Sequence, residues 1–376
     1  MIFVAKTEDG DTITYKDQKR YLWILSILTP SVPGISALIL LSGGNLFWAA
    51  WPLIFYYTVI PVLDMLLGED MNNPPEEVVE QLSQDGYYRV LLHLSVPVFY
   101  FSLITCAVAV GTLELPVWAF VALALGAGAA SGGGLTVGHE LGHKHNWIDQ
   151  LSAKLINAVS GYAHFCIEHN QGHHVKVATP EDVASARFNE SVFKFATREL
   201  PGAAIRGWQL EKRRLDKKGF GFWTWRNDIL QGYAISGGIL VILTILFGWI
   251  IVPFLLIHHI AAWSQLTFAN YVEHYGLKRE KKANGRYVPC APHHSWNTNH
   301  IMSNLMLFHL QRHSDHHTNP MRPYQSLRDF EDLPRLPSGY PGCFVLALFP
   351  PLWFKVMNPK VLDWAGGDMD KVNTGV

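Results

Sequence analysis

Residues 116–143 read PVWAFVALALGAGAASGGGLTVGHELGH. The first 23 of them, Pro116–Gly138, contain no Asp, Glu, Lys or Arg, and the five that follow set two histidines four residues apart. A bilayer core of about 30 Å takes about 20 apolar residues of helix to cross. Residues four apart share one helix face. The stretch therefore predicts a membrane span whose inner end carries paired imidazoles.

Four further stretches lack charge: Tyr21–Ser42, Leu46–Leu63, Val90–Leu113 and Ile229–Val272. The first three hold 22, 18 and 24 residues, one span each, and the last holds 44, enough for two. Phe247-Gly248-Trp249 and Pro253 mark its turn. The expected fold is an all-α integral membrane protein of six transmembrane helices. Soluble core helices seldom run 20 residues without a charge, which argues against a buried bundle.

Composition agrees. The chain has 376 residues, 49% hydrophobic and only 16% charged, against about 25% charged in an ordinary soluble domain. The formal net charge of −1 excludes nucleic-acid binding by bulk positive charge. With six spans, the loops Gly43–Asn45, Gly111–Leu115 and 248–253 share one side and carry no Lys or Arg. All basic residues then lie on the other side with both termini, and the positive-inside rule makes that side cytoplasmic. The acidic start MIFVAKTEDG is no signal peptide. The expected division is 1–138 (arm and spans one to four), 139–228 (cytoplasmic block), 229–272 (spans five and six) and 273–376 (second cytoplasmic block). Gly342–Met357 is apolar but short and holds Pro350-Pro351, so it reads as an interfacial or core-docking segment.

Histidine is the outlier, with 18 residues. Three clusters fall at helical spacing: His139 and His143; His169, His173 and His174; His313, His316 and His317. A lone His274 follows Asn270-Tyr271-Val272-Glu273. His139 and His274 each lie about 23 residues beyond the start of their spans, roughly 35 Å of helix, so both reach the same membrane face. Nine imidazoles exceed one first-row metal and suit two, giving a histidine-rich cap over a dimetal site. Imidazole fits iron, zinc or copper. The four cysteines are scattered without a CxxC pair, which excludes an encoded iron–sulfur site. Glu140, Glu168, Glu273 and Asp315 each flank a candidate ligand and are expected to take up its free N–H. His309, four before His313, is expected to support the site from outside. His93, His258 and His259 lie within spans and read as packing or hydrogen-bonding residues. Asp64, near the inner end of span two, is expected to face a partner or the protein interior.

The motifs HELGHK (139–144), EHNQGHH (168–174), NYVEHYG (270–276) and LQRHSDHH (310–317) resemble those of integral-membrane alkane 1-monooxygenases, the non-haem diiron alkane hydroxylases. NYVEHYG is the most discriminating of them. The resemblance runs over nearly the whole chain, including LLGEDMNNPPEEVV at 66–79. It implies two irons held by histidines, O2 as co-substrate, and terminal hydroxylation of medium-chain alkanes to primary alcohols. It also implies electrons from rubredoxin, itself reduced by a rubredoxin reductase, and residence in the bacterial inner membrane.

Other readings explain less. The histidine boxes are shared with membrane fatty-acyl desaturases and related hydroxylases, which makes a desaturase the main rival. HELGH also fits the zincin signature HExxH, but a zinc protease leaves seven clustered histidines unused. A metal transporter would place ligands near the bilayer midplane.

Trp51, Phe55, Tyr56 and Val59 share a face of span two and are expected to line the substrate channel. The small residues Gly126–Gly134 predict tight helix packing and, on another face, room for an alkyl tail. Each turnover needs two electrons, and no other redox centre is evident. A separate carrier must dock, and Lys278, Arg279, Lys281 and Lys282, just after His274, are the expected basic dock. Lys212, Arg213, Arg214, Lys217 and Lys218 form a second basic cluster.

Overall fold

A computed structural model describes residues 1–375. Six helices are long and apolar enough to cross a membrane: Leu22–Leu41, Phe47–Leu67, Gly86–Thr112, Val117–Gly142, Asp228–Phe247 and Ile251–His274. They match the charge-free stretches, with one systematic difference. Spans two, three, four and six run past the apolar residues at the end where the histidines lie. There the ends of spans four and six are enclosed by packed protein, with Val137–Gly142 and Asn270–His274 buried. Gly248, at φ +81°, makes the turn between spans five and six and donates its N–H to the Thr244 carbonyl. Pro253 sits in the first turn of span six, where its missing N–H has no carbonyl to meet.

Spans four and six lie side by side. A Cβ on Gly128 would collide with the His258 carbonyl and Ala261, and one on Gly132 with Gln265 and the Ala262 carbonyl. These glycines let the two backbones approach closely, as small residues do in lipid. Gly133 differs, because a Cβ there would meet nothing within 4 Å. One run of small residues thus does two things on two faces: it closes a helix contact and leaves an open space.

Beyond the spans, further helices cover the histidine end. Trp147–Val159 and Val192–Lys217 start at the side-chain caps Asn146 and Ser191. A two-stranded antiparallel hairpin, Phe3–Lys6 with Thr12–Tyr15, packs beside helix Glu76–Gln84. Among the described residues it is the one sheet in an otherwise helical fold, and Asp9-Gly10-Asp11 between alternating residues was its signal. The segment 66–79 is held by Arg312, which is 2% exposed. Its guanidinium donates to the carbonyls of Asp70 (2.7 Å), Asn72 (3.1 Å) and Leu327 (2.8 Å). Asp64 is fully buried and accepts the Ser303 N–H at 2.9 Å. Together these bonds lock the end of span two to the helices that carry the third histidine cluster. The apolar segment after Ser338 forms two helices, Tyr340–Ala347 and Pro350–Trp364, bent by 119° at their junction. The first of them packs against spans two and six.

The glycine geometry predicts unequal costs. Gly132→Ala should lower the melting temperature of the purified protein by several degrees, as overpacking does. Gly133→Ala should leave it close to wild type. Equal thermal shifts for the two variants would contradict the close approach at Gly132.

Candidate metal centre

The nine clustered histidines converge, and they separate into two groups. His139, His143, His169, His174 and His316 form one; His173, His274, His313 and His317 form the other. Within each group the available nitrogens all lie within 4.8 Å of one another. Two nitrogens bound opposite each other on an ion at about 2.1 Å would be about 4.2 Å apart, so each group is of the right size for one ion. The groups adjoin, with the rings of His174 and His317 4.4 Å apart.

Local backbone explains the partition. His139 ends span four, His143 caps it, and His274 ends span six. His169–His173 is a π-helical turn. In such a turn residues five apart align, so His169 and His174 face one group while His173 faces the other. On helix His313–Thr318, His313 and His317 share a face and His316 points to the opposite group.

The donor set is that of a cation site. Ring nitrogens face one another at 2.9 Å (His169–His174), 3.1 Å (His174–His316) and 2.8 Å (His313–His317). The Nε2 atoms of His139, His143, His173 and His274 are buried without any hydrogen-bond partner. Burial, reinforced by neighbouring imidazoles, holds His169, His174, His313, His316 and His317 well below the usual histidine pKa. Their surroundings thus favour the neutral form, the form in which imidazole binds metal. Burial pushes His173 down as well, but the Asp182 carboxylate outweighs it and leaves that ring raised. Unshared nitrogen lone pairs packed this densely call for metal ions, and the residues present fit two.

The expected supporting acids do not all touch ligands. Glu273 does: its carboxylate lies 3.1 Å from His313 Nε2 and accepts the Tyr340 hydroxyl at 2.7 Å. Glu140 instead pairs with Lys144 at 3.1 Å. Glu168 is bound by Arg206. Asp315, fully buried, accepts the Arg328 N–H at 2.9 Å and the Asn319 amide at 2.8 Å. The reason is geometric. A residue adjacent to a ligand on a helix points about 100° away from it. His309 also lies apart. Phe308 and His309 adopt left-handed backbone, φ 48° and 53°, which breaks the helix between His309 and His313. The His309 ring packs edge-on against Trp23 and bonds the Tyr324 carbonyl at 3.1 Å.

Sequence reading missed Asp182. It bonds His173 Nδ1 at 2.9 Å and Arg206 at 2.8 Å. It sits in a loop nine residues after its histidine, so no helical spacing announces it. Arg206, from helix Val192–Lys217, bridges Asp182 and Glu168 and ties this loop to the π-helical turn.

The histidines in the spans behave as packing residues. His93 meets Asp149 at 2.9 Å and Ser152 at 3.0 Å. His258 meets Ser131 at 2.8 Å and His259 at 3.0 Å.

A cavity runs from the bundle into this centre. Its wall includes Tyr56, Phe99, Ala130, Gly133, Leu266 and Phe344, and it reaches His139, His169 and His313. Of the expected channel residues only Tyr56 lies on this wall; Trp51, Phe55 and Val59 do not, and Tyr57 does. A π-helical turn at Phe55–Val59 shifts the register and turns two consecutive tyrosines inward. Of the expected dock, Lys281 and Lys282 are exposed. Arg279 is not a surface charge. It is 7% exposed, and its guanidinium serves the carbonyls of Val175, Val177 and Val288.

Six spans crowned by two histidine groups define a class of membrane metalloproteins. Accordingly, the fatty acid desaturase family profile matches residues 116–346. Within that class the chain belongs to the alkane 1-monooxygenase family. It is 50% identical over 364 residues to alkane 1-monooxygenase 1 of Alcanivorax borkumensis, covering 97% of this chain and 90% of the relative. It is 52% identical over 358 residues to alkane 1-monooxygenase of Ectopseudomonas oleovorans, covering 95% and 89%. The xylene/toluene monooxygenase hydroxylase component of Pseudomonas putida is a more distant relative, 28% identical over 231 residues.

Asp182→Asn removes charge but little shape. Loss of such a supporting carboxylate commonly weakens metal binding by about 10- to 100-fold. Dialysis of the variant against a graded chelator should strip metal at correspondingly lower chelator concentration. Retention equal to wild type would confine Asp182 to loop packing.

Proposed function

We propose that this protein hydroxylates the terminal carbon of medium-chain linear alkanes to primary alcohols. It would do so at a histidine-ligated diiron centre, with O2 as co-substrate and two electrons per turnover from rubredoxin. The single observation that carries this reading is that one apolar cavity abuts both histidine groups, through His139 and His169 of one and His313 of the other. An uncharged substrate without hydrogen-bonding groups would enter from lipid. The family of the chain supports the same reaction.

His139, His143, His169, His174 and His316 would hold one iron, and His173, His274, His313 and His317 the other. The bound irons would supply oxygen activation and the oxidation of a C–H bond. The chain's own residues do the rest. Tyr56, Phe99 and Phe344 wall the cavity and exclude water. Weak apolar contacts discriminate poorly between carbons, so selection of the terminal carbon falls to shape, the chain meeting the centre end-on. Asp182 fixes the ring of His173 through its Nδ1, and the Glu273 carboxylate lies beside the His313 Nε2 that faces the group.

We place the histidine end and both termini in the cytoplasm and the spans in the bacterial inner membrane, on the distribution of Lys and Arg. Rubredoxin, reduced by its reductase, would then approach the histidine end. Lys281 and Lys282 remain the basic residues best placed to meet an acidic carrier.

Metal analysis with product analysis tests the reading. Two irons per chain and 1-octanol from octane are expected. Zinc alone, or an alkene product, would overturn it. His274→Ala should lose iron and activity together, whereas His93→Ala should keep iron and appreciable turnover. Full iron and normal product in His274→Ala would refute the nine-ligand set.

Charge reversal at Lys281 and Lys282 should slow rubredoxin-driven turnover and flatten its salt dependence. An unchanged rate with an unchanged salt slope would put the dock elsewhere.

A further inference from the structure

Histidines apart, the polar groups on the cavity wall are nearly all satisfied by the protein. Ser26 donates to the Trp23 carbonyl at 2.5 Å and Tyr56 to the Thr29 carbonyl at 2.7 Å. Tyr57 donates to Gln265 at 2.7 Å, and Tyr340 to Glu273 at 2.7 Å. Such pairing is what a site for a hydrocarbon requires, because an unpaired wall group would hold water there instead.

Apart from the histidines, three wall groups find no partner among the described residues: the hydroxyls of Thr29 and Thr136 and the amide oxygen of Asn270. The Thr29 oxygen is sealed within protein. Those of Thr136 and Asn270 are not, and both residues line the cavity. The Asn270 amide is oriented by its other end, which donates to Glu199 at 3.2 Å. Glu199 is in turn fixed by the Thr267 hydroxyl at 2.8 Å.

Their placement is specific. Thr136 precedes His139 by three residues and Asn270 precedes His274 by four, about one helical turn in each case. Spans four and six run in the same direction with Gly128 against Ala261 and Gly132 against Gln265. Extending that register by one turn sets Thr136 opposite residues near Ala269. The two residues therefore sit at about one depth, one helical turn before the histidines, and both line the cavity.

An alkane gains nothing from them, but an alcohol does. Its hydroxyl can donate to the Asn270 oxygen and accept from Thr136. We propose that Thr136 and Asn270 form a subsite for the hydroxyl of a terminal alcohol, so that the cavity binds 1-alkanols, hydroxyl toward the histidines, more tightly than alkanes of equal length. This rests on the alkane-hydroxylation reading and adds a product-binding element to it.

The test compares 1-octanol with octane in wild type, Thr136→Val and Thr136→Ser. In the first arm, 1-octanol inhibits octane turnover. Thr136→Val should raise the ratio of the alcohol's Ki to the KM for octane by about 5-fold, the size of one lost hydrogen bond, and Thr136→Ser should restore it. In the second arm, metal-depleted protein is equilibrated with deuterated 1-octanol and octane, and retention is read by mass spectrometry. Wild type should retain the alcohol preferentially and Thr136→Val should lose that preference. Should Thr136→Val fail to fold, Asn270→Leu serves in both arms with the same expectation. A ratio unchanged in the valine variant, or equal retention of alcohol and alkane by wild type, would overturn the subsite. The metal-free arm does not depend on turnover. Absence of octane hydroxylation in wild type would therefore count against the activity alone.

Discussion

Nine clustered imidazoles, their ring nitrogens crowded together, are the constraint on which this structure depends. A buried ring nitrogen without a donor or a cation is costly, and four Nε2 atoms here have neither within the protein. Only a bound cation satisfies so many lone pairs pointing at two places. Much of the histidine end exists to keep them there. The buried Arg312 clamps the 66–79 segment, Asp64 anchors helix Ile301–Met306, and Arg206 joins two carboxylates behind His173.

The bundle supplies the height. Spans four and six begin level at the opposite end and carry His139 and His274 to one depth. The glycines between them allow a contact close enough for both helices to serve one centre. Gly133, on the neighbouring face, keeps space open beside that contact. A helix pair so close would leave no room for substrate if its small residues all faced the partner. Distributing them over two faces resolves the conflict.

The cavity and the metal centre have opposite electrostatic needs. The centre concentrates polar atoms and takes positive charge, offset by Asp182 and Glu273. The cavity must offer a hydrocarbon nothing to displace. The structure meets both by pairing wall hydroxyls with backbone carbonyls and neighbouring side chains. The open oxygens of Thr136 and Asn270 belong to residues one helical turn before His139 and His274.

Much of this was legible in the sequence. Absence of charge over 18 to 24 residues marked the spans, because lipid excludes charge wherever it touches helix. Histidine spacing marked the centre, because ligands on short helices repeat with the turn. Local periodicity reached no further. Two π-helical turns, invisible in composition, decided that His169 and His174 face the same group and that Tyr57 joins Tyr56 on the cavity wall. Left-handed backbone at Phe308 and His309 removed His309 from the helix that spacing assigned to it. Asp182 reaches His173 through a loop, and Arg279 turns inward to three carbonyls. Sequence fixed which chemistry was available and at what depth in the membrane, since hydrophobicity and helical rise are local properties. Which ligand faces which group, and which charges stay on the surface, depends on contacts between segments far apart in the chain, and only the tertiary structure decided those.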